Sequence, residues 1–526
     1  MGNVKRNFLT NVVLNISIFR IVYLCTLFLC SFCYVEVFAN AVKYPLMIWG
    51  FLLIYFYYIR PKRYFDVMYA RWLVGFIAVS ILTAVIHIVD NFGQNLSLLA
   101  HVIICFFVLY GMHTERNKRR KMRELYFVAT TILIATTVAM LVCFATLPLG
   151  ERKIDFLESS YKLVIYENRL TGIFTNPNLL AFYSVVAVFC SHILSKDKLY
   201  TECGIKKKLP KWFLIICVII NILAMFLSDS NGSLLLLSCY AIGNLIYRLF
   251  SGDKTLNIKG FILRCFAVVL ILTLIISVLF GLRWCSNKTV SAIMSANNQN
   301  EIIDVTPNQD TPAHTKDKPQ DKIQDKINIV TFAHENDNLD SGRLALLQKA
   351  VVIFYNYPFF GVGKENIVLY GERLLETGLK YSDLHNGYLT ILVSNGLIGF
   401  ALFLGFAISL GRHCVKSLFL EKKNLRKSPF PCLFAFIFAY CIYAVLEKTI
   451  LLEQTYMVVF FWYVLGYASC YMQKYNHIDD KFDVRSLFIK EDNSQKPSYE
   501  YDVDIIDLPT MTDEEKAENE SQQIKQ

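Results

Sequence analysis

Charge is scarce in this 526-residue chain: 18% of its residues are Asp, Glu, Lys or Arg, against 55% hydrophobic and 14% aromatic. A soluble chain of this length would carry more charge and divide into several domains. A complete set of metal ligands is also lacking. The 15 cysteines include one CxxC, Cys30 to Cys33, but it lies inside an apolar run, as do Cys25, Cys105, Cys143 and most of the others, and no second pair or Cys/His spacing completes a metal set. That argues against a disulfide framework and against a zinc site. The basic start MGNVKRNF leads straight into an apolar run with no small-residue cleavage site, so no cleavable leader is expected. A Walker motif, a paired-carboxylate signature and an internal repeat are missing too, and the single GxG is too weak to read as a nucleotide loop.

What the chain does have is apolar runs about 20 residues long. Twelve spans are expected, at roughly 17–37, 44–59, 72–89, 96–112, 125–147, 177–194, 212–228, 233–250, 261–281, 387–411, 429–447 and 454–472. Their length suits helices rather than the short alternating strands of an outer-membrane barrel. The fold class is therefore all-α, a polytopic transmembrane helical bundle. With the N-terminus inside, the five short inside loops hold 26 lysines and arginines and the five outside loops hold 6. Lysine and arginine favour the cytoplasmic side, so both termini are expected in the cytoplasm.

The expected domain organisation follows. Residues 1–281 carry spans 1–9, residues 282–386 form one large extracytoplasmic loop, and residues 387–472 carry spans 10–12. Within the loop, 296–336 is polar and repetitive in Lys, Asp and Gln, and is expected to be disordered. Residues 341–357 have apolar positions at Leu344, Leu347, Val351 and Phe354, which reads as an amphipathic helix resting on the bilayer surface or on the bundle. The tail, 473–526, holds 14 acidic and 7 basic residues, while the whole chain carries +10. That leaves +17 on the membrane portion and an acidic, disordered cytoplasmic tail.

Candidate functional residues gather at the expected outer surface. Pro177 suits a first helical position with Asn176 as its cap, and Arg169 lies just ahead, in NRLTGIFTNPN. The plain reading is an anchoring arginine beside a capped helix. The functional one is that Arg169 and the exposed helix start, including Asn178, face one anion, because free N–H groups and the helix dipole favour phosphate and arginine grips it bidentately. Arg343 either holds its loop helix to a neighbour or binds the same anion. His385 adjoins Asn386 and Gly387, which allow close backbone approach, and an imidazole titrating near 6.5 suits a general base. Gly363 follows Gly361 in a turn after Pro358. Ser228–Ser233 reads as a tight turn, and Lys448 as the partner of Glu447 or Glu453.

In order, NRLTGIFTNPNLLA, then SGR…YPFFGVG after a long loop, then HNGYL…NGLIGF resembles the O-antigen ligase / O-antigen polymerase family of bacterial membrane proteins. The resemblance covers about residues 125–472. It implies a glycosyltransferase of the cytoplasmic (inner) membrane that moves or polymerises oligosaccharide from undecaprenyl pyrophosphate on the outer face. It implies catalytic roles for His385, Arg343 and Arg169 and substrate binding by Asn176, Asn178, Asn386 and Gly363. The reaction would be inverting and would need no metal or cofactor. Its partners would be the lipid-linked donor, a glycan or lipid/cell-wall acceptor and membrane lipid, with no nucleic acid. Family members carry an arginine in the turn matching Ser228–Ser233, where this chain has Asn231. Two other readings stand beside it, a flippase or transporter of lipid-linked sugars and a non-catalytic membrane scaffold.

Overall fold

The computed structural model describes residues 12–36, 38–115, 118–156, 159–166, 169–250, 343–375, 384–420 and 427–472, with scattered helical positions between 259 and 289. The chain falls into two units, Met1–Lys481 and Phe482–Gln526. The acidic tail, the polar loop 296–336 and part of the ninth expected span lie outside the described residues.

The first unit is a helical membrane protein. Among the described residues, six stretches are long and apolar enough to cross a bilayer: Ala41–Ile59, Phe92–Thr114, Arg119–Leu149, Pro177–Leu194, Asn231–Phe250 and Gly387–Leu418. Five shorter apolar helices accompany them. In chain order the helices that matter below are α1 (Ile16–Leu29), α2 (Ala39–Ile54), α3 (Ala70–Ile86), α4 (Phe92–Ile104) and α5 (Lys118–Thr146). After them come α6 (Pro177–Leu194), α7 (Asp197–Cys203), α8 (Lys211–Leu227), α9 (Asn231–Phe250), α10 (Arg343–Asn356) and α11 (Ile367–Leu374). The last three are α12 (Gly387–Leu420), α13 (Phe430–Tyr443) and α14 (Tyr456–Met472). Eleven of the twelve expected spans coincide with a helix, and the ninth is described only in part, at helical positions.

At the centre is α14, apolar on every side and buried along almost its whole length. Lipid tails are as apolar as leucine, so this helix is held by close van der Waals packing rather than by escape from water. Aromatic rings supply much of that contact. Phe189 of α6 stacks on Phe436 of α13 with centroids 4.2 Å apart, and Tyr440 stacks on Phe461 at 4.6 Å. The polar tips of such rings need partners in this setting, and the Trp462 indole N–H donates to the Ile450 carbonyl at 2.9 Å.

Arg20 and Glu124 form a buried pair near the start of α1. The Arg20 guanidinium bonds Glu124 bidentately at 2.7 Å and Glu115 at 2.6 Å, with Arg20 wholly enclosed. A charge in hydrocarbon is tolerated when it is paired inside the bundle, and here the pair pins α1 to α5.

Three features depart from the sequence reading. First, the segment before α6 holds a three-stranded antiparallel sheet, β1 (Arg152–Phe156), β2 (Ser159–Tyr166) and β3 (Arg169–Gly172), so the unit is not purely helical. Second, α10 buries Leu346, Ala350 and Ile353 and leaves Leu347 and Val351 exposed, at 43% and 38%. The expected stripe through Leu347 and Val351 therefore points away from the bundle. This helix is apolar on more than one side, and it docks the side where Ala350 allows close approach. Third, α12 is broken at Gly396, whose φ of 64° and ψ of −171° lie outside helical space.

The break is filled by another part of the chain. The turn Pro358–Gly363 lies against it, and the two segments exchange backbone hydrogen bonds. Val362 and Gly363 donate to the carbonyls of Val393 and Ser394 at 3.1 and 2.8 Å, while Leu397 and Ile398 donate to those of Pro358 and Phe359 at 2.7 and 3.3 Å. Non-helical backbone is stable at membrane depth when protein satisfies it in this way. Only glycine fits at the crossing. A Cβ on Gly361 would lie 2.4 Å from the Val393 carbonyl oxygen, and one on Gly396 would lie 2.2 Å from that of Phe359.

Candidate functional site

β3 delivers Arg169 to the mouth of α6. There Pro177 occupies a first-turn position and the Asn176 side chain accepts from the Asn178 N–H at 2.7 Å, which caps the helix. Arg169 donates through Nε to the Ser228 carbonyl at 2.8 Å and through a terminal nitrogen to Asn178 Oδ1 at 2.5 Å. Its half-buried guanidinium thus joins the start of α6 to the turn between α8 and α9. The segment between β3 and α6 is tied to the stretch just after α1, since Cys33 donates to the Ile173 carbonyl and Thr175 to that of Ser31.

The turn at Ser228 meets the loop between α13 and α14. A Cβ on Gly232 would come within 2.9 Å of the Tyr443 ring and 3.7 Å of Glu447 Oε1. The same loop receives the start of α12, where the Gly387 N–H donates to the Ala444 carbonyl at 2.8 Å and to that of Glu447 at 3.1 Å. Asn386 caps α12 and accepts from the N–H groups of Tyr388 and Leu389 at 3.0 and 2.9 Å. His385 immediately precedes that cap with φ of 45°, in the left-handed region that a histidine rarely occupies. Such strained backbone gathers at functional sites.

Two lysines share one carboxylate beside this junction. Lys364 Nζ lies 3.1 Å and Lys448 Nζ 3.3 Å from Glu453 Oε1. The expected pairing of Lys448 with Glu453 is present, and Lys364 joins it from the turn after α10. Lys364 is absent from the sequence-based site. The signal that points to it is its place directly after Gly363, at the edge of the glycine turn.

The expected residues therefore fall into two groups. Arg169, Asn176 and Asn178 form one cluster around the start of α6. His385 and Asn386 form another at the start of α12, and the α13–α14 loop touches the elements that carry both. Gly363 stands apart: its φ is 84°, its N–H is taken by Ser394, and a Cβ there would crowd Asn95 Oδ1 at 2.9 Å. Its present use is packing against the broken helix. Arg343 opens α10; its side chain lies outside the described atoms.

A further tie holds the turn after α10. The His87 ring lies 3.0 Å from the Gly361 carbonyl through Nε2 and 2.7 Å from the Tyr370 hydroxyl through Nδ1. Tyr370 in turn donates to Asp90, which Arg373 grips with two bonds at 2.8 and 3.0 Å. Arg373, then Tyr370, hold the Asp90 carboxyl below its usual range of about 3.8. Burial, then the Asp90 bond, push the Tyr370 phenol up to about 12.

A search of curated proteins finds no match to this chain. Residues 216–404 match the family model described as O-antigen ligase. That stretch runs from α8 into α12 and takes in the turn at Ser228, Arg343, the glycine turn, His385 and the broken helix, so this part of the chain is similar to the O-antigen ligase family.

Proposed function

We propose that the protein is an O-antigen ligase-like glycosyltransferase that takes oligosaccharide from undecaprenyl pyrophosphate at the outer face of the bacterial cytoplasmic membrane. In this reading the chain crosses the membrane twelve times with both termini in the cytoplasm. The clusters at α6 and α12 then lie on the outer side, where the charged head of a lipid-linked donor sits while its tail stays in the bilayer.

Pyrophosphate is a good leaving group, so the protein's main tasks are to stabilise the charge it gains and to deprotonate the acceptor hydroxyl. Arg169 offers a guanidinium beside a capped helix start, and Arg343 is its proposed companion. His385 takes the acceptor proton as the new glycosidic bond forms and the C1–O bond to pyrophosphate breaks. A single displacement of this kind inverts the anomeric centre. Where relatives carry an arginine in the α8–α9 turn, Asn231 brings no charge. Arg169 itself donates to Ser228 of that turn, and Lys448 is carried by the loop that packs against it.

The observation that carries this reading is the placement of strained His385 at a capped helix start, in a loop junction shared with the turn that Arg169 holds. A broken helix is a feature common in secondary transporters, the class of the alternative reading. Here, however, protein backbone fills it. The test is to replace Arg169 and His385 singly with alanine and to confirm normal membrane insertion. Each variant should lose glycan transfer, a fall of about 10² or more for each lost group. Full transfer in both sinks the assignment.

A further inference from the structure

A polar gap lies beside the break in α12, between α3, α4 and the glycine turn. It has about 30 Å³ of room for a water-sized group, inside a looser space of about 350 Å³ that runs out to the exterior. Ser80, Thr83, Asn95, Lys364 and Asn395 line it together with apolar side chains of α4. The hydrogen bonds around Asn395 can be assigned. The Ser80 hydroxyl gives its only proton to the Phe76 carbonyl at 2.9 Å, so at 2.7 Å it must accept from Asn395 Nδ2. That leaves Asn395 Oδ1 as an acceptor, and it has no partner among the described residues although Asn395 is 4% exposed. Buried acceptors of this kind are nearly always satisfied, and one that is not calls for a reason.

We infer that this gap is a hydroxyl-binding subsite for the acceptor glycan, with Asn395 Oδ1 receiving a sugar O–H. The inference rests on the transferase reading above. Three observations give the ligand its chemistry. The lining combines an open acceptor, the hydroxyl oxygens of Ser80 and Thr83 and the Lys364 ammonium with an apolar wall. The gap is sized for one hydroxyl group, which a pyranose resting over its mouth projects from the edge of an apolar ring face. The gap also adjoins the proposed chemistry, because Lys364 reaches Glu453, whose loop takes the Gly387 N–H at the start of α12. Arg169 is not among the residues that line the gap and is held instead at Ser228 and Asn178. Donor pyrophosphate and acceptor sugar would then approach His385 from different directions.

Two substitutions test it without touching the proposed catalytic groups. Asn395→Leu removes the acceptor at similar volume, and Ala84→Leu fills the gap from its wall. Membranes carrying each variant, normalised to monodisperse protein, are assayed with the host's own lipid-linked donor and a titrated detergent extract of its acceptor glycolipid. The half-saturating acceptor concentration should rise roughly tenfold, the worth of one hydrogen bond, while the donor requirement stays as in the wild type. Unchanged acceptor dependence, an equal rise for both substrates, or a fall in maximal rate alone overturns the subsite and leaves a structural water in the gap. Wild-type membranes that transfer no glycan, or His385→Ala membranes that transfer it fully, defeat the transferase reading itself.

Discussion

At the residue scale, the site depends on side chains whose local roles follow from ordinary capping and pairing rules. Asn176 and Asn386 each accept from N–H groups at the start of a helix. Replacing either with alanine should destabilise its helix start by about 1 kcal/mol, seen as a lower melting temperature of the purified protein. The Asn176 cap was legible in the sequence from the Asn-Pro ahead of an apolar run, whereas Asn386 read only as allowing close backbone approach and not as a cap. The bond from Arg169 to Ser228 was not legible, because it joins residues 59 apart through a carbonyl that no side-chain pattern marks. The Asp90 tie gives a pH prediction. Its carboxyl is held below the ordinary value, so its hold on α11 is complete above about pH 3.8 and is lost as pH falls through the lowered value. Amide exchange in α11, corrected for intrinsic rates, should therefore accelerate in that acidic window and stay constant between neutrality and pH 5. Equal protection on both sides of the window would count against the tie.

At the element scale, the broken α12 and the Pro358–Gly363 turn behave as one unit. A residue with a Cβ at Gly361 or Gly396 meets backbone within 2.4 Å and must also hold a positive φ. Gly396→Ala should cost more than the ~1–2 kcal/mol of a left-handed alanine alone, because neither backbone can yield without breaking the hydrogen bonds between them. The same measurement on Gly411→Ala, where nothing crowds the added carbon, should show little change. The break was invisible in the sequence, since Ser-Asn-Gly inside an apolar run reads the same in a continuous helix. The helix α10 shows a related limit. Its position was legible from apolar spacing, but its buried face was not, because several stripes are apolar and only the partner surface selects among them. The sheet before α6 is illegible for a different reason: its strands lie in a connection between spans, where no apolar run marks them.

At the scale of the whole molecule, the helix positions were plain from apolar runs alone, because hydrocarbon thickness fixes their length. What joins them was less plain. The loop between α13 and α14 collects the α8–α9 turn, the start of α12 and the two lysines, yet its own sequence offers only Glu447, Lys448 and Glu453 as signals. The buried Arg20–Glu124 pair is the counterpart near the start of α1. Removing one partner, as in Glu124→Leu, leaves Arg20 enclosed with less compensation and should destabilise the bundle by roughly 3–5 kcal/mol. Scanning the thermal stability of the purified variant checks this. The most direct test of the whole account compares undecaprenyl-linked and anchored glycan in cells expressing wild-type protein or His385→Ala at equal levels. The account predicts that the mutant either loses long lipid-linked chains, which identifies a polymerase, or keeps them on the carrier and fails to anchor them, which identifies a ligase. An unchanged size distribution in both pools would contradict it and return His385 to a structural role.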